Sequence, residues 1–135
     1  MIENGTHLFS NKFLDHGNDL SDLVYVIALN FYLLGTDSML FRKDIGNKPP
    51  YPFMKEKCAG NRAVAGLRYS KLHQRIIINK EWKNISVLNP KTRKIEIEIT
   101  KSVGNEIREF KLFGKNENRV VSITEDGHIL LYSLG

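Results

Sequence analysis

Only one cysteine, Cys58, occurs in the 135 residues of this chain. That excludes an internal disulfide and favours a reducing, intracellular compartment, cytoplasmic or nuclear. The start, "MIENGTHLFS", lacks a basic opening followed by an apolar stretch, so no secretory leader is expected. Apolar runs are short as well. "LVYVIALNFYLLG", residues 23–35, falls below the roughly 20 residues that span a bilayer, and Asn30 interrupts it. The segment belongs in a core, not in a membrane. Val24, Tyr25, Val26, Ile27, Phe31 and Tyr32 are β-branched or aromatic and favour strands there.

Motifs that carry chemistry are equally scarce. There is no Gly-Lys-Ser/Thr phosphate loop, paired-cysteine motif or hydrolase elbow. His7, His16, His73 and His128 are scattered without the spacing a metal site needs. Cys58, in "KEKCAGNR", is the remaining candidate nucleophile, and a nucleophile needs a positioned base. The expectation is therefore no enzyme, no catalytic residues, no metal and no cofactor.

What the chain does have is an echo. Residues 75–88, "RIIINKEWKNISVL", lie over residues 119–132, "RVVSITEDGHILLY", without a gap, at the spacing of 44 that separates Arg75 from Arg119. Each is an apolar strand, a polar turn and a second apolar strand. Upstream, Val64, Leu67 and Tyr69 repeat as Ile107, Phe110 and Leu112. A third copy follows from "FYLLGTDSMLFRK", with Leu40 equivalent to Ile85 and Ile129, a tighter connection at Asn30, and Val24, Ile27 and Leu29 showing the upstream spacing. A period of about 44 residues with three or four strands per unit is that of propeller blades, which bury their faces by radial stacking. In "KIEIEITK", Ile95, Ile97 and Ile99 are expected to share one face, with Glu96 and Glu98 in water.

These residues resemble the tryptophan–aspartate (WD) repeat family of β-propellers. "VVSITEDGHILLYSL" is similar to that family's strand, Asp-Gly turn, strand and closing aromatic, with Asp126 at the turn and Tyr132 at the usual tryptophan position. Asp37 matches the turn aspartate in the first copy and Trp82 occupies it in the second; Lys43 and Leu88 stand at the aromatic position. No Gly-His dipeptide opens any copy. The resemblance covers about residues 23–134 and implies an all-β fold of antiparallel sheets, about three blades, acting as a protein–protein interaction scaffold.

The organisation expected is an N-terminal extension over 1–22 and three repeats at about 23–62, 63–102 and 103–135. Closed propellers need four or more blades, so the ring is expected to be incomplete, or completed by another protein or a second copy. Residues 6–13, "THLFSNKF", are a candidate outer strand anchored by Phe9 and Phe13. In the proline-rich loop over 46–62, Pro49, Pro50, Tyr51 and Phe53 are candidate partner contacts. The net charge of +5 and the basic residues Lys55, Lys57, Arg62, Arg68, Lys71, Lys91, Arg93 and Lys94 give an alternative, an RNA- or polyanion-binding module. Asp37, Asp126 and Gly127 are assigned to turns, because glycine tolerates positive φ.

Overall fold

The computed structural model describes residues 4–7, 20–36, 40–46, 48–53 and 64–135. Asp37, Cys58, Phe9 and Phe13, and the cations Lys55, Lys57 and Arg62, lie outside these residues.

Among the described residues, eleven strands fall into three antiparallel sheets. Sheet A takes β1 (Leu20–Val26), β2 (Phe31–Thr36), β3 (Leu40–Asp44) and β4 (Tyr51–Pro52), in that spatial order. Sheet B takes β5 (Val64–Ser70), β6 (Arg75–Lys80), β7 (Asn84–Asn89) and β8 (Lys94–Thr100), again in order. Sheet C takes β9 (Ile107–Phe113), β10 (Arg119–Thr124) and β11 (Ile129–Ser133). The chain is all-β, and its sheets are set as propeller blades. No helix among the described residues is long and apolar enough to cross a membrane.

The repeat positions agree with the strand registers. Leu40 pairs with Gly35, Ile85 with Asn79 and Ile129 with Ile123. The three partners are themselves 44 residues apart. The first strand departs from the expected spacing. Thr36, Lys80 and Thr124 pair with Leu20, Val64 and Ile107, so Leu20, not Val24, is the equivalent of Val64. The physical reason is the connection. Ile27–Leu29 form a single 3-10 turn closed by Asn30 in the left-handed region, φ 57°, which takes Ile27 and Leu29 out of any strand. β1 thus begins at Leu20.

Two cores lie between the three sheets. Val26, Phe31, Leu33, Leu40 and Phe53 meet Val64, Leu67, Ile76, Ile78 and Leu88 between sheets A and B. Ile77, Ile85 and Val87 meet Ile107, Phe110, Val120 and Tyr132 between sheets B and C. β6 and β7 feed both cores, which is why "RIIIN" is apolar at consecutive positions. β8 corrects a second expectation. A bulge between Val87 and Leu88 pairs them with Ile97 and Ile95, leaving Glu96 between. Ile95 therefore packs on the first core while Ile97 and Ile99 pack on the second. Glu98 does not simply face water either: it accepts from Lys80 Nζ at 2.8 Å.

Polar side chains tie the seams. Asp22 on β1 accepts the Leu67 amide at 2.9 Å and Arg68 Nη1 at 3.0 Å. The same guanidinium gives Nη2 to Glu109 on β9 at 2.5 Å and lies 5.1 Å over the Phe110 ring. One arginine on the innermost strand of sheet B thus joins all three sheets. On the other side of that seam, Glu117 accepts from Ser70 Oγ and from the Leu72 amide.

Candidate interaction surface

Strand alternation sends every second residue of sheet C away from sheet B. On β10 and β11 these are Val121, Ile123, Ile129 and Leu131, in two cross-strand pairs: Ile123 opposite Ile129 and Val121 opposite Leu131. β9 adds Glu109, Lys111 and Phe113 along one margin. The result is an apolar face with a charged border.

Its exposure breaks the pattern of the repeat. Leu40 is 1% exposed and Ile85 0%, because each faces the next sheet; the equivalent Ile129 is 76% exposed. One pair further on, Val87 is 5% exposed and its equivalent Leu131 64%. Ile123 and Phe113 are exposed as well. The side chains are those that fill the seams inside the molecule, at the same register, with no described residue over them. Exposed apolar patches of this kind mark sites of interaction.

The hairpin that carries this face is held by a network of hydrogen bonds at its turn. Gly127 donates its amide to the Thr124 carbonyl at 3.1 Å and has φ 94°, and the Thr124 amide bonds the His128 carbonyl at 2.9 Å. This is a type I turn followed by a left-handed glycine. Asp126 and Gly127 stand in the turn, and His128 leads into β11. Asp126 accepts from Thr124 Oγ1 at 2.6 Å and from the Asn105 amide at 3.2 Å. The Asn105 side chain accepts the Asp126 amide in return. The Thr124 hydroxyl, then the Asn105 amide and His128, hold the Asp126 carboxyl at about 2, below its ordinary 3.8. A depressed carboxyl stabilises the fold fully above pH 3.8, and that share is lost as pH falls through 2. Asp126→Asn is therefore expected to flatten the acid limb of a denaturation profile between pH 4 and 2, in urea melts followed by circular dichroism.

Several candidates from the sequence find other employment. Phe53, a candidate partner contact by sequence, is buried in the first core, 5.7 Å from the Phe31 ring centroid. The proline loop brings it there, since Tyr51–Pro52 forms a two-residue edge strand on β3 and the Phe53 amide bonds Leu40. Tyr51 stays exposed and donates its hydroxyl to Asp44 at 3.2 Å. Pro49 is exposed and Pro50 half-buried beside it. Arg68 is spent on Asp22 and Glu109, and Arg93 stacks 4.9 Å over Phe53. Lys71, Lys91 and Lys94 are exposed at one end of sheet B, where the turns 71–74 and 90–93 lie side by side. Arg75 beside them is paired with Glu96, whose carboxyl it holds below the usual range. The outward face of sheet C is not apparent from the sequence pattern alone. The signal lay in Ile129, whose repeat equivalents are core residues.

No family model and no curated protein matches the chain. Solved structures do. A chain of the Chaetomium thermophilum Polycomb Repressive Complex 2 bound to GSK126 is similar over 96% of this chain and 31% of its own, at 17% identity and a TM-score of 0.62. Apo AztD from Citrobacter koseri is similar over 85% of this chain and 31% of its own, at 16% identity and a TM-score of 0.58. The computationally designed Ika4 protein matches over 98% of this chain and 100% of its own, at 16% identity and a TM-score of 0.51. The chain thus spans less than a third of the two natural chains. At these identities the likeness shows the fold alone, a partial β-propeller.

Proposed function

We propose that this chain is a non-enzymatic interaction scaffold of degenerate WD-repeat-like blades, engaging another protein or a second copy of itself through the outward face of sheet C. The observation that carries the reading is the contrast at one repeat position: Leu40 and Ile85 are covered by a following sheet, and Ile129 is not. One of the similar chains belongs to a multi-protein complex, Polycomb Repressive Complex 2, and supports the reading by analogy only. The polyanion alternative keeps Lys71, Lys91 and Lys94 among the described residues but loses Arg68 to its ion pairs. The single cysteine supports an intracellular site of action.

The test is affinity capture from a native extract with the wild-type chain and with Ile129→Asp/Leu131→Asp. Both positions are exposed, so the variant keeps the fold. A protein held stoichiometrically by the wild type is expected to bind the variant at least about a hundredfold more weakly, because each of the two buried aliphatic side chains contributes about 1.5–3 kcal/mol. Equal capture by both chains would contradict the assignment of the face.

A further inference from the structure

Sheets A and B each have a fourth strand, β4 and β8; in sheet C, no described residue pairs with the outer edge of β11. The hydrogen bonds of β11 show which groups that edge offers. The His128 carbonyl takes the Thr124 amide, and the Leu134 amide bonds the Asn118 carbonyl. In an antiparallel ladder alternate residues bond the same neighbour, so Leu130 and Tyr132 also turn their main-chain groups to β10. Ile129, Leu131 and Ser133 turn theirs outward.

Beside this edge the seam with sheet B is only partly filled. Ile97 and Ile99 on β8, and Leu130 and Leu134 near β11, are half-buried around the second core. A cavity of about 230 Å³ opens in that seam, lined by Ile77, Val87, Ile97 and Leu134 together with the polar His73, Arg75, Glu96 and Glu117. An edge that no described residue pairs, next to a partly apolar groove, is the arrangement that accepts an added strand.

Resting on the scaffold reading above, we propose that β11 takes a partner's extended segment as the fourth strand of sheet C. The segment runs antiparallel to β11 and carries aliphatic side chains at alternate positions. Its backbone bonds Ile129, Leu131 and Ser133, and its apolar side enters the groove over Ile97 and Leu134. The chemistry is read from β8, which fills the same place in sheet B with alternating isoleucine and charge. A strand bound this way is recognised through backbone and pattern, and its partner is defined by pattern more than by individual side chains.

The probe is a synthetic peptide of residues 92–101, TRKIEIEITK, added at millimolar concentration to the intact chain. Amide hydrogen exchange is read by nuclear magnetic resonance. Exchange at Ile129, Leu131 and Ser133 is expected to slow by about tenfold or more on saturation. The same peptide N-methylated at alternate residues is expected to have no effect. Ser133→Pro removes one outward amide without touching the ladder to β10 or the apolar face, and weakens the response. Should that variant fold poorly, the N-methylated peptide still decides. Ile123→Asp, on the outward face but on β10 and away from the β11 edge, is expected to bind the peptide still, so the edge and the face fail or stand separately. No slowing, equal slowing by the N-methylated peptide, or outward amides already protected in the free chain overturns the proposal; the last would mean the edge is closed from within.

Discussion

Replacing Phe110 by alanine is expected to lower the unfolding free energy by about 3–5 kcal/mol. Phe110 is buried on β9, in the core that joins sheets B and C. Its ring also reaches the innermost strand of sheet B: a Cβ built on Gly66 would lie 3.0 Å from its Cε1. The Arg68 guanidinium, which holds Asp22 and Glu109, covers the same ring. Truncation removes the contact that sets sheet C against sheet B and leaves a cavity that the two sheets cannot close without moving as bodies. Because domains of this size are stable by about 5–15 kcal/mol, sheet C is expected to melt ahead of the rest in urea. Phe113→Ala, three residues on and exposed, is the control and is expected to stay within about 0.5 kcal/mol of the wild type.

The second large effect is at Gly35. Alanine there is expected to destabilise by about 1–3 kcal/mol, a fall in Tm of roughly 4 °C per kcal/mol for a chain of this size. Gly35 sits on β2 against the start of β5. Its Cβ would stand 2.7 Å from Val64 Cγ1 and 3.1 Å from Ser21 Oγ. Neither neighbour yields easily. Val64 is buried and β-branched, and the Ser21 hydroxyl is bonded to the Val64 carbonyl. The added methyl therefore pushes sheets A and B apart. Strand propensity alone predicts the opposite sign, a gain of about 0.5–1 kcal/mol for Gly→Ala. A rise in Tm would contradict the close approach of the two sheets at this point.

The repeat was readable because its cause is repetitive. Each β2–β3-type hairpin presents apolar side chains at the same register, so the 44-residue spacing of Arg75 and Arg119 survives as a pattern of apolar positions. Leu40, Ile85 and Ile129 align by that pattern, and their strand partners agree. What the pattern concealed was set by single residues of backbone. Asn30 in the left-handed region shifts β1 by four positions, and the extra residue at Glu96 turns Ile95 away from Ile97. Neither leaves a periodic trace. The packing of Phe53 and Arg68 was hidden for a different reason. Composition marks an aromatic beside prolines, or an arginine in a basic stretch, as surface; long-range contacts with Phe31, Asp22 and Glu109 make them part of the seams. The open face of sheet C could be seen only once the three equivalent positions were compared for burial.

Whether that open face associates is decided by sedimentation equilibrium of the purified 15.5 kDa chain. The runs should extend from micromolar to several hundred micromolar, for the wild type and for Ile129→Asp/Leu131→Asp. Reversible association of the wild type beyond the monomer mass is expected, abolished in the variant, with both chains folded by circular dichroism. A wild-type chain that stays monomeric over the whole range, unfolds cooperatively and matches the variant in both respects would contradict self-association through Ile129 and Leu131.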